Sequence, residues 1–445
     1  MFKIKSEDLV KAAGQNPWYW VPTLYFAEGV PYFLVNTISV MMFSKMGVPN
    51  GEMSFFTTLL YFPWFLKALW GPLVDVIKTK RWWIVGMQAL MAIVMIVLTI
   101  TLPKPPIESI KSGTTSIGIF SYTLIFFILT AFASATHDIA ADGYYMLAHD
   151  SGSQATFIGI RATFYRIASV FGQGVLVVIA GMIEDKTGNI PLAWQLTMAI
   201  ASLVLLAITV YHSFILPRPT SDLPREDRGK MNMLKDMKKA FVSLFQKKGI
   251  LLGIVFLLLY RLPEGFLIKL CQPFLIDPVT RGGLGLSTHM VGIVYGTTGV
   301  IALLVGGIVG GLYIHQVGLK KAFWWMATGM TLPCLTFVYL AIFQPTNIIV
   351  ISIAIAIEQF GYGFGFTAYT LYMMYLSEGE FSTSNLAICT AFQALSMMLP
   401  GFVAGYIQEA IGYIYFFWMV IACSIATIVV TYLVRQTLDP NYGKK

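Results

Sequence analysis

The stretch FASATHDIAADGYYMLAHD (132–150) places His137, Asp138 and Asp142 beside a run of apolar residues. Ser134, Asp138 and Asp142 stand at i, i+4 and i+8, one polar stripe on a helix, while His137 is turned about 100° away from it and faces a neighbouring element. The pattern recurs along the chain. Glu28, Tyr32 and Asn36 share the same spacing, and Arg261, Glu264, Lys269 and Gln272 surround Pro263. Lys67 lies between Trp64 and Trp70, Arg161 precedes Tyr165 and Arg166, and Glu358 and Gln359 precede Tyr362. Carboxyl groups in such settings can exchange a proton, and arginine or lysine can hold an anion through charge-assisted hydrogen bonds. Tyrosines and tryptophans beside them can stack on a sugar face. No nucleophile or metal-ligand constellation accompanies these residues, and Cys271, Cys334, Cys389 and Cys423 have no ligand spacing. They read as packing residues, and no metal or cofactor is expected.

The elements that must position these groups are membrane spans. Of 445 residues, 57% are hydrophobic and 12% charged, and the mean hydropathy is +0.71, outside the soluble range. Crossing about 30 Å of hydrocarbon takes roughly 20 apolar residues as a helix, and segments of that length recur. Twelve spans are expected, from Trp18–Lys45 and Glu52–Val76 through to Ala387–Gln408 and Tyr413–Val434. Asp138 falls roughly 15 Å deep, where a charged aspartate costs about 2.5–3.5 kcal/mol unless it meets water, a partner or a proton. Ten deep ionisable groups are expected: Glu28, Asp138, Asp142, Glu264 and Glu358 against Lys67, Arg161, Arg166, Arg261 and Lys269. They are nearly neutral as a set. Any one pair could merely lock two helices together; ten point to ion exchange.

No cleavable leader is expected from MFKIKSEDLVKAAGQNPW, which has no apolar core. About 20 of the 30 basic residues fall in the terminal segments and even-numbered loops and about five in the odd-numbered loops, so both termini are expected in the cytoplasm. The net charge of +8 is explained by those loops, and nucleic acid is not an expected partner. One polar stretch, 217–249, divides the chain into 1–216 and 250–445. Its second part places Met233, Met237, Phe241 and Leu244 on one face with lysines opposite, as an amphipathic helix lying on the bilayer surface would. The halves are weakly alike. GPLVDVIKTKR (71–81) aligns with GLYIHQVGLKK (311–321), setting Asp75 over His315 and Lys80-Arg81 over Lys320-Lys321, and GMIEDKTG (181–188) aligns with GYIQEAIG (405–412). Repeated halves of six spans imply two bundles around a central cavity.

GPLVDVIKTKR is similar to the signature loop between spans two and three of the major facilitator superfamily, with Val76 and Thr79 departing from its usual basic residue and glycine. That resemblance implies an all-α fold of twelve spans in two pseudo-symmetric six-helix bundles. It makes Asp75, with Lys80, Arg81 and the corresponding His315, gating contacts; a helix cap and topology anchor is the plainer alternative. FLKALWGPLVD, ASATHDIAADGYY, LLLYRLPEGF, EQFGYGFGFTAY, GFVAGYIQEAIG and VRQTL together resemble the AmpG-type muropeptide permease branch, which shares ancestry with acetyl-CoA transporters. This implies proton-coupled import of peptidoglycan fragments across a bacterial inner membrane. Lys67, Asp138, Asp142, Arg166 and Glu358 fall on charged positions of the branch pattern, with similar chemistry at Arg261 and Glu264; Glu28, Lys269 and His137 depart from it.

The resulting expectation is a monomeric transporter in the lipid bilayer, working on a small anionic amino-sugar or muropeptide and protons. Asp138 is the favoured proton carrier, with Glu28, Glu264 and Glu358 as alternatives. Lys67, Asp142, Arg161, Arg166, Arg261, Lys269, Tyr32, Asn36, Tyr165, Gln359 and Tyr362 are expected to bind substrate. Rival readings are another anion, such as N-acetylmuramic acid or a coenzyme A thioester, a membrane acyltransferase, and a non-transporting sensor. Residues 137 and 138 diverge on one helix and cannot readily act on one atom, which weighs against the acyltransferase.

Overall fold

The computed structural model describes residues 16–148, 151–219, 222, 239, 241–247, 249–378 and 382–443, with backbone alone at 68, 72, 75, 76, 151–156, 158 and 382–384. Met233 and Met237 of the expected surface helix lie outside the described residues. The described segments are helices that cross and recross one slab. They are α1 (Pro17–Lys45), α2 (Asn50–Leu59 and Phe62–Val76), α3 (Lys80–Thr101), α4 (Ile117–Ala148), α5 (Ser151–Ser169, Val170–Leu176 and Val177–Thr187) and α6 (Ile190–Ile215). After the polar stretch come α7 (Ile250–Ile276), α8 (Thr288–Val317), α9 (Leu319–Phe343) and α10 (Ile348–Ser377). The last helical run, Ser382–Arg435, is 54 residues long, about twice what a bilayer needs. It bends back at Gly412, whose φ of 75° and ψ of 167° suit glycine alone, giving α11 (382–411) and α12 (413–435). Long apolar faces point outward, with Ile100, Leu203 and Phe214 exposed as lipid-facing residues are. The chain is a multi-pass membrane protein.

Proline and wide turns interrupt the helices where polar side chains must reach inward. Pro63 two residues into the second part of α2 and Pro263 two residues into that of α7 each lack the N–H that would continue the ladder. The chain therefore breaks at Leu60–Tyr61 and at Tyr260–Arg261, and Arg261 takes φ −99° and ψ 13° at the break. Turns closed by i to i+5 bonds occur at Leu34–Ile38 in α1, Val170–Leu176 in α5 and Val294–Gly299 in α8. Such turns swing side chains off the regular helical stripe.

Glycines set how closely helices approach. A Cβ at Gly363 would lie 2.0 Å from Leu303 O, one at Gly361 2.3 Å from Gly329 O, and one at Gly365 2.4 Å from Met330 Cβ. The alternating glycines of GYGFGF therefore let α10 sit against α8 and α9, as small residues commonly do between membrane helices. Trp20 is buried against Tyr144, ring centres 5.2 Å apart, whereas Trp18, Trp82 and Trp325 are exposed, as tryptophans at a membrane interface are. Phe241 is exposed while Leu244 is fully buried, and Lys247 donates to Leu376 O and Glu378 O at 2.7 and 2.5 Å. The end of the polar stretch is thus tied to the end of α10.

Gly363→Val should drive α8 and α10 apart and destabilise the detergent-solubilised protein by about 1–3 kcal/mol, the usual cost of overpacking. Gly311→Val, where a Cβ meets nothing within 4 Å, should leave the melting temperature nearly unchanged.

Candidate functional site

A cavity of about 400 Å³ lies between the helices of residues 16–215 and those of 250–435 and is lined from both. The broken and widened helices reach it: Thr37, Tyr61, Gln173, Tyr295 and Arg261 all come from within a few residues of such an interruption. Ser134 and Asp138 of α4 line it as a stripe. Asp138 Oδ2 pairs with Lys67 Nζ of α2 in a close ion pair. Glu28 of α1 also lines the cavity, and its Oε2 is buried with no hydrogen-bond partner among the described residues. With all three ionised, this group carries one net negative charge; a single proton makes it neutral.

The opposite wall carries Arg261. Its Nε and Nη2 donate to Glu264 at 3.0 and 3.1 Å, and Nη2 also donates to Tyr362 Oη at 2.9 Å. The guanidinium lies 4.8 Å over the Phe366 ring, so a buried bidentate pair and an aromatic face hold it in one orientation. Arg166 also lines the cavity, and among the described residues it belongs to no ion pair. It is the cation most available to an incoming anion. Tyr32 and Trp64 make an edge-to-face pair at 5.2 Å, and Tyr165 adjoins Tyr32 at 6.3 Å, which supplies an aromatic wall near Arg166.

Nine expected site residues thus meet around one space: Glu28, Tyr32, Lys67, Asp138, Tyr165, Arg166, Arg261, Gln359 and Tyr362. Glu264 and Glu358 do not face it directly; they line a recess of about 10 Å³ behind Gln359 and Tyr362, and Gln359 donates to Glu358 Oε2 at 2.8 Å. Asp142 and Arg161 fall outside the cavity lining. They pair with each other at 2.5 Å, and Arg161 lies 4.4 Å over the Tyr25 ring, so this part of the polar stripe is closed by α1 and α5. Asn36 is also off the cavity, its amide turned back to Tyr32 O at 3.1 Å. Lys269 is buried against α2, its Nζ donating to Thr57 Oγ1 at 3.3 Å. His137 faces α3 rather than the cavity, 2.9 Å from Gln88 Nε2.

The expected gating residues have other partners. Backbone N–H groups of Lys80 and Arg81, at the start of α3, donate to the Asp222 carboxylate at 2.7 and 3.0 Å, a helix N-terminus holding an anion. Arg81 also donates to Leu216 O and Ser213 O. His315 is exposed near the end of α8, and the side chain of Asp75 lies outside the described residues. Sequence reasoning missed Gln173 and Gln393. Gln173 donates to Ser169 Oγ at 2.8 Å, and the i, i+4 spacing of that pair was the available signal.

The cavity is sealed at one end. Asn50 Nδ2 donates to Gln408 Oε1 at 2.8 Å and to Tyr413 Oη at 2.9 Å, Gly51 N to Glu409 at 2.9 Å, and Thr288 Oγ1 to Glu184 at 2.6 Å. His289 pairs with Asp185 at 2.8 Å. Here α2 meets α11 and α5 meets α8 through glycines: a Cβ at Gly405 would lie 1.9 Å from Asn50 O, and one at Gly296 1.9 Å from Gln173 O. Asp277, in the loop after α7, accepts from Tyr413 Oη at 2.7 Å, and burial holds its carboxyl above the usual carboxylate range. Among the described residues, these polar crossings lie at the end bearing the odd-numbered loops.

A description of the Major Facilitator Superfamily matches residues 23–399. The chain is 26% identical over 430 residues to Putative transporter AmpG 4 of Rickettsia conorii, covering 92% of this chain and 94% of that protein. It is 23% identical over 426 residues to Anhydromuropeptide permease of Escherichia coli (strain K12), covering 94% of this chain and 79% of that one. Among solved structures it is similar to the D-xylose–proton symporter, with a TM-score of 0.70 at 12% identity, covering 96% of this chain and 99% of that one.

Asp138→Asn leaves Lys67 without its counter-charge and should lower stability by about 1–3 kcal/mol, less than the full cost of a broken buried pair because the Lys67 side chain is 30% exposed. Lys67→Met together with Asp138→Leu should recover most of that loss in a thermal melt, since both charges go at once.

Proposed function

The chain belongs to the Major Facilitator Superfamily, and we propose that it is a proton-coupled importer of an anionic amino-sugar or muropeptide. The observation that carries this reading is the charge arrangement of the cavity: an acid-rich trio, Glu28, Lys67 and Asp138, faces Arg166 and the fixed Arg261 across one space. The trio is the proton site and Asp138 its favoured carrier, because its counter-charge sits on a different helix and can move away. Arg166 is the first contact for a substrate carboxylate, and Tyr32, Trp64 and Tyr165 meet a sugar face. The anhydromuropeptide permease named above supports the substrate class by relationship.

Residues 1–216 and 250–445 act as two units, joined by 217–249, that rock about the cavity in a bacterial inner membrane with both termini in the cytoplasm. In that frame the sealed end faces outward. Rocking reopens the contacts around Asn50, Glu184 and Asp277. At the opposite end Lys80 and Arg81 hold the start of the linker through Asp222, while Asp75 and His315 occupy corresponding positions near the ends of α2 and α8. The trio takes a proton from the outer side, the cavity closes around proton and substrate, and both leave to the cytoplasm.

Reconstituted protein should accumulate labelled anhydromuropeptide when the outside is acid, and accumulation should collapse when the gradient is dissipated. Gradient-independent uptake would remove the coupling; uptake of a different anion alone would reassign the substrate. Asp138→Asn should abolish uphill uptake, by about 100-fold if it removes the chief proton group, while substrate exchange across the membrane persists.

A further inference from the structure

Lys269 is a deep cation that neither lines the cavity nor, among the described residues, belongs to an ion pair. It is 3% exposed and sits where α7 crosses α2 and α11, between the cavity and the sealed end. Its Nζ donates to Thr57 Oγ1 at 3.3 Å and lies 5.2 Å from the centre of the Tyr61 ring. Its Cε is 3.2 Å from where a Cβ on Gly401 would be. Every one of these partners is neutral, and two of the three belong to the other half of the chain.

Among the described residues the charged groups on the surrounding elements are engaged elsewhere, Lys67 of α2 with Asp138. On α7 itself, Glu264 holds Arg261, and Asp277 just beyond its end accepts from Tyr413. On α2, Glu52 accepts from Ile117 N; on α11, Glu409 accepts from Gly51 N. Lys45 at the end of α1 pairs with Glu184, and His289 at the start of α8 pairs with Asp185. Among the described residues no ion pair includes Lys269. Tyr61 is the titratable group that packs on it.

Sealing this end therefore carries an unmatched side chain from outer water into a dry contact. An ammonium loses its hydration there and gains no carboxylate in exchange, a cost that an uncharged amine does not bear. We propose that Lys269 Nζ is a second proton site, separate from the Glu28–Lys67–Asp138 trio, whose occupancy decides whether the outer end can seal. With the proton bound, the outer end stays open; when the ammonium gives its proton to outer water, the amine is buried against Thr57 and the end closes. The inference rests on the alternating-access reading above and assigns it a separate outer control. Its sign is distinctive. Asp277, with its carboxyl raised by burial, favours the sealed form as pH falls, whereas Lys269 favours it as pH rises.

Ser54, fully buried with its hydroxyl donating to Gly401 O, reports the seal. The experiment places Ser54→Cys in a chain whose four native cysteines are alanine, reconstitutes it without substrate, and applies a membrane-impermeant maleimide. Rates are normalised to those in a Gly405→Val background, which props α2 from α11, so that thiol ionisation cancels. With Lys269 present, labelling should rise about threefold or more between about pH 8.5 and about pH 5.5. Lys269→Met should label slowly throughout, with no acid-induced rise, and Lys269→Arg, which keeps its charge, should label fast at every pH. An acid-induced rise that survives Lys269→Met overturns the proposal, as does Lys269→Arg labelling no faster than Lys269→Met at alkaline pH. Should Lys269→Arg not fold, the slope of Lys269→Met decides alone. Since no substrate is present, failure of muropeptide uptake and failure of this switch are read separately.

Discussion

A charge inside hydrocarbon must have water, a partner or a proton, and the architecture of this chain follows from how each deep ionisable group meets that demand. Lys67 and Asp138 satisfy one another at the edge of a cavity. Arg261 and Glu264 do so behind it, and Asp142 and Arg161 beside it. Arg166 lines the cavity with no ion pair among the described residues, and Lys269 meets a hydroxyl and an aromatic ring. These are different solutions to one problem, and Arg166 and Lys269, cations that belong to no ion pair among the described residues, are free to respond to a ligand or to a change of packing.

Backbone irregularity makes those solutions reachable. Regular helices would present one stripe each to the centre, but the breaks before Pro63 and Pro263 and the wide turns in α1, α5 and α8 place Tyr61, Arg261, Gln173 and Tyr295 where an unbroken ladder would not. Glycines play the complementary part. At Gly405 and Gly296 backbone meets backbone across the two halves with no side chain between. At these two points the backbones can part and re-form without repacking side chains, while the polar contacts of Asn50, Glu184 and Glu409 beside them must break.

Much of this was readable from residues alone. A charged group in an apolar run is so costly that Glu28, Lys67 and Asp138 stand out, and the i, i+4 spacing of Ser134 and Asp138 puts both on the face that lines the cavity. Asp142 misled because a stripe continues in angle while the cavity ends in depth. One turn further along, Tyr25 and Arg161 close over it. Lys269 misled for the same reason: eight residues beyond Arg261 it is about 12 Å further along the axis, past the cavity and into the seal. The wide turns leave no local signature, being products of packing between helices, and Gln173, inside one of them, was marked only by its i, i+4 spacing from Ser169. The interrupted α2 was legible in Pro63, but its role in exposing Tyr61 was not.

The central claim is that polar groups from both halves share one aqueous space open to the side of the termini. Thiol labelling of single cysteines at Ser134 on α4 and Gln393 on α11, residues that line the cavity from opposite walls, tests it most directly. A small hydrophilic reagent applied from the side of the termini should modify both, and an anionic ligand that protects one should protect the other. Two unreactive cysteines, or protection of one without the other, would contradict a shared wet cavity and with it the transport account built upon it.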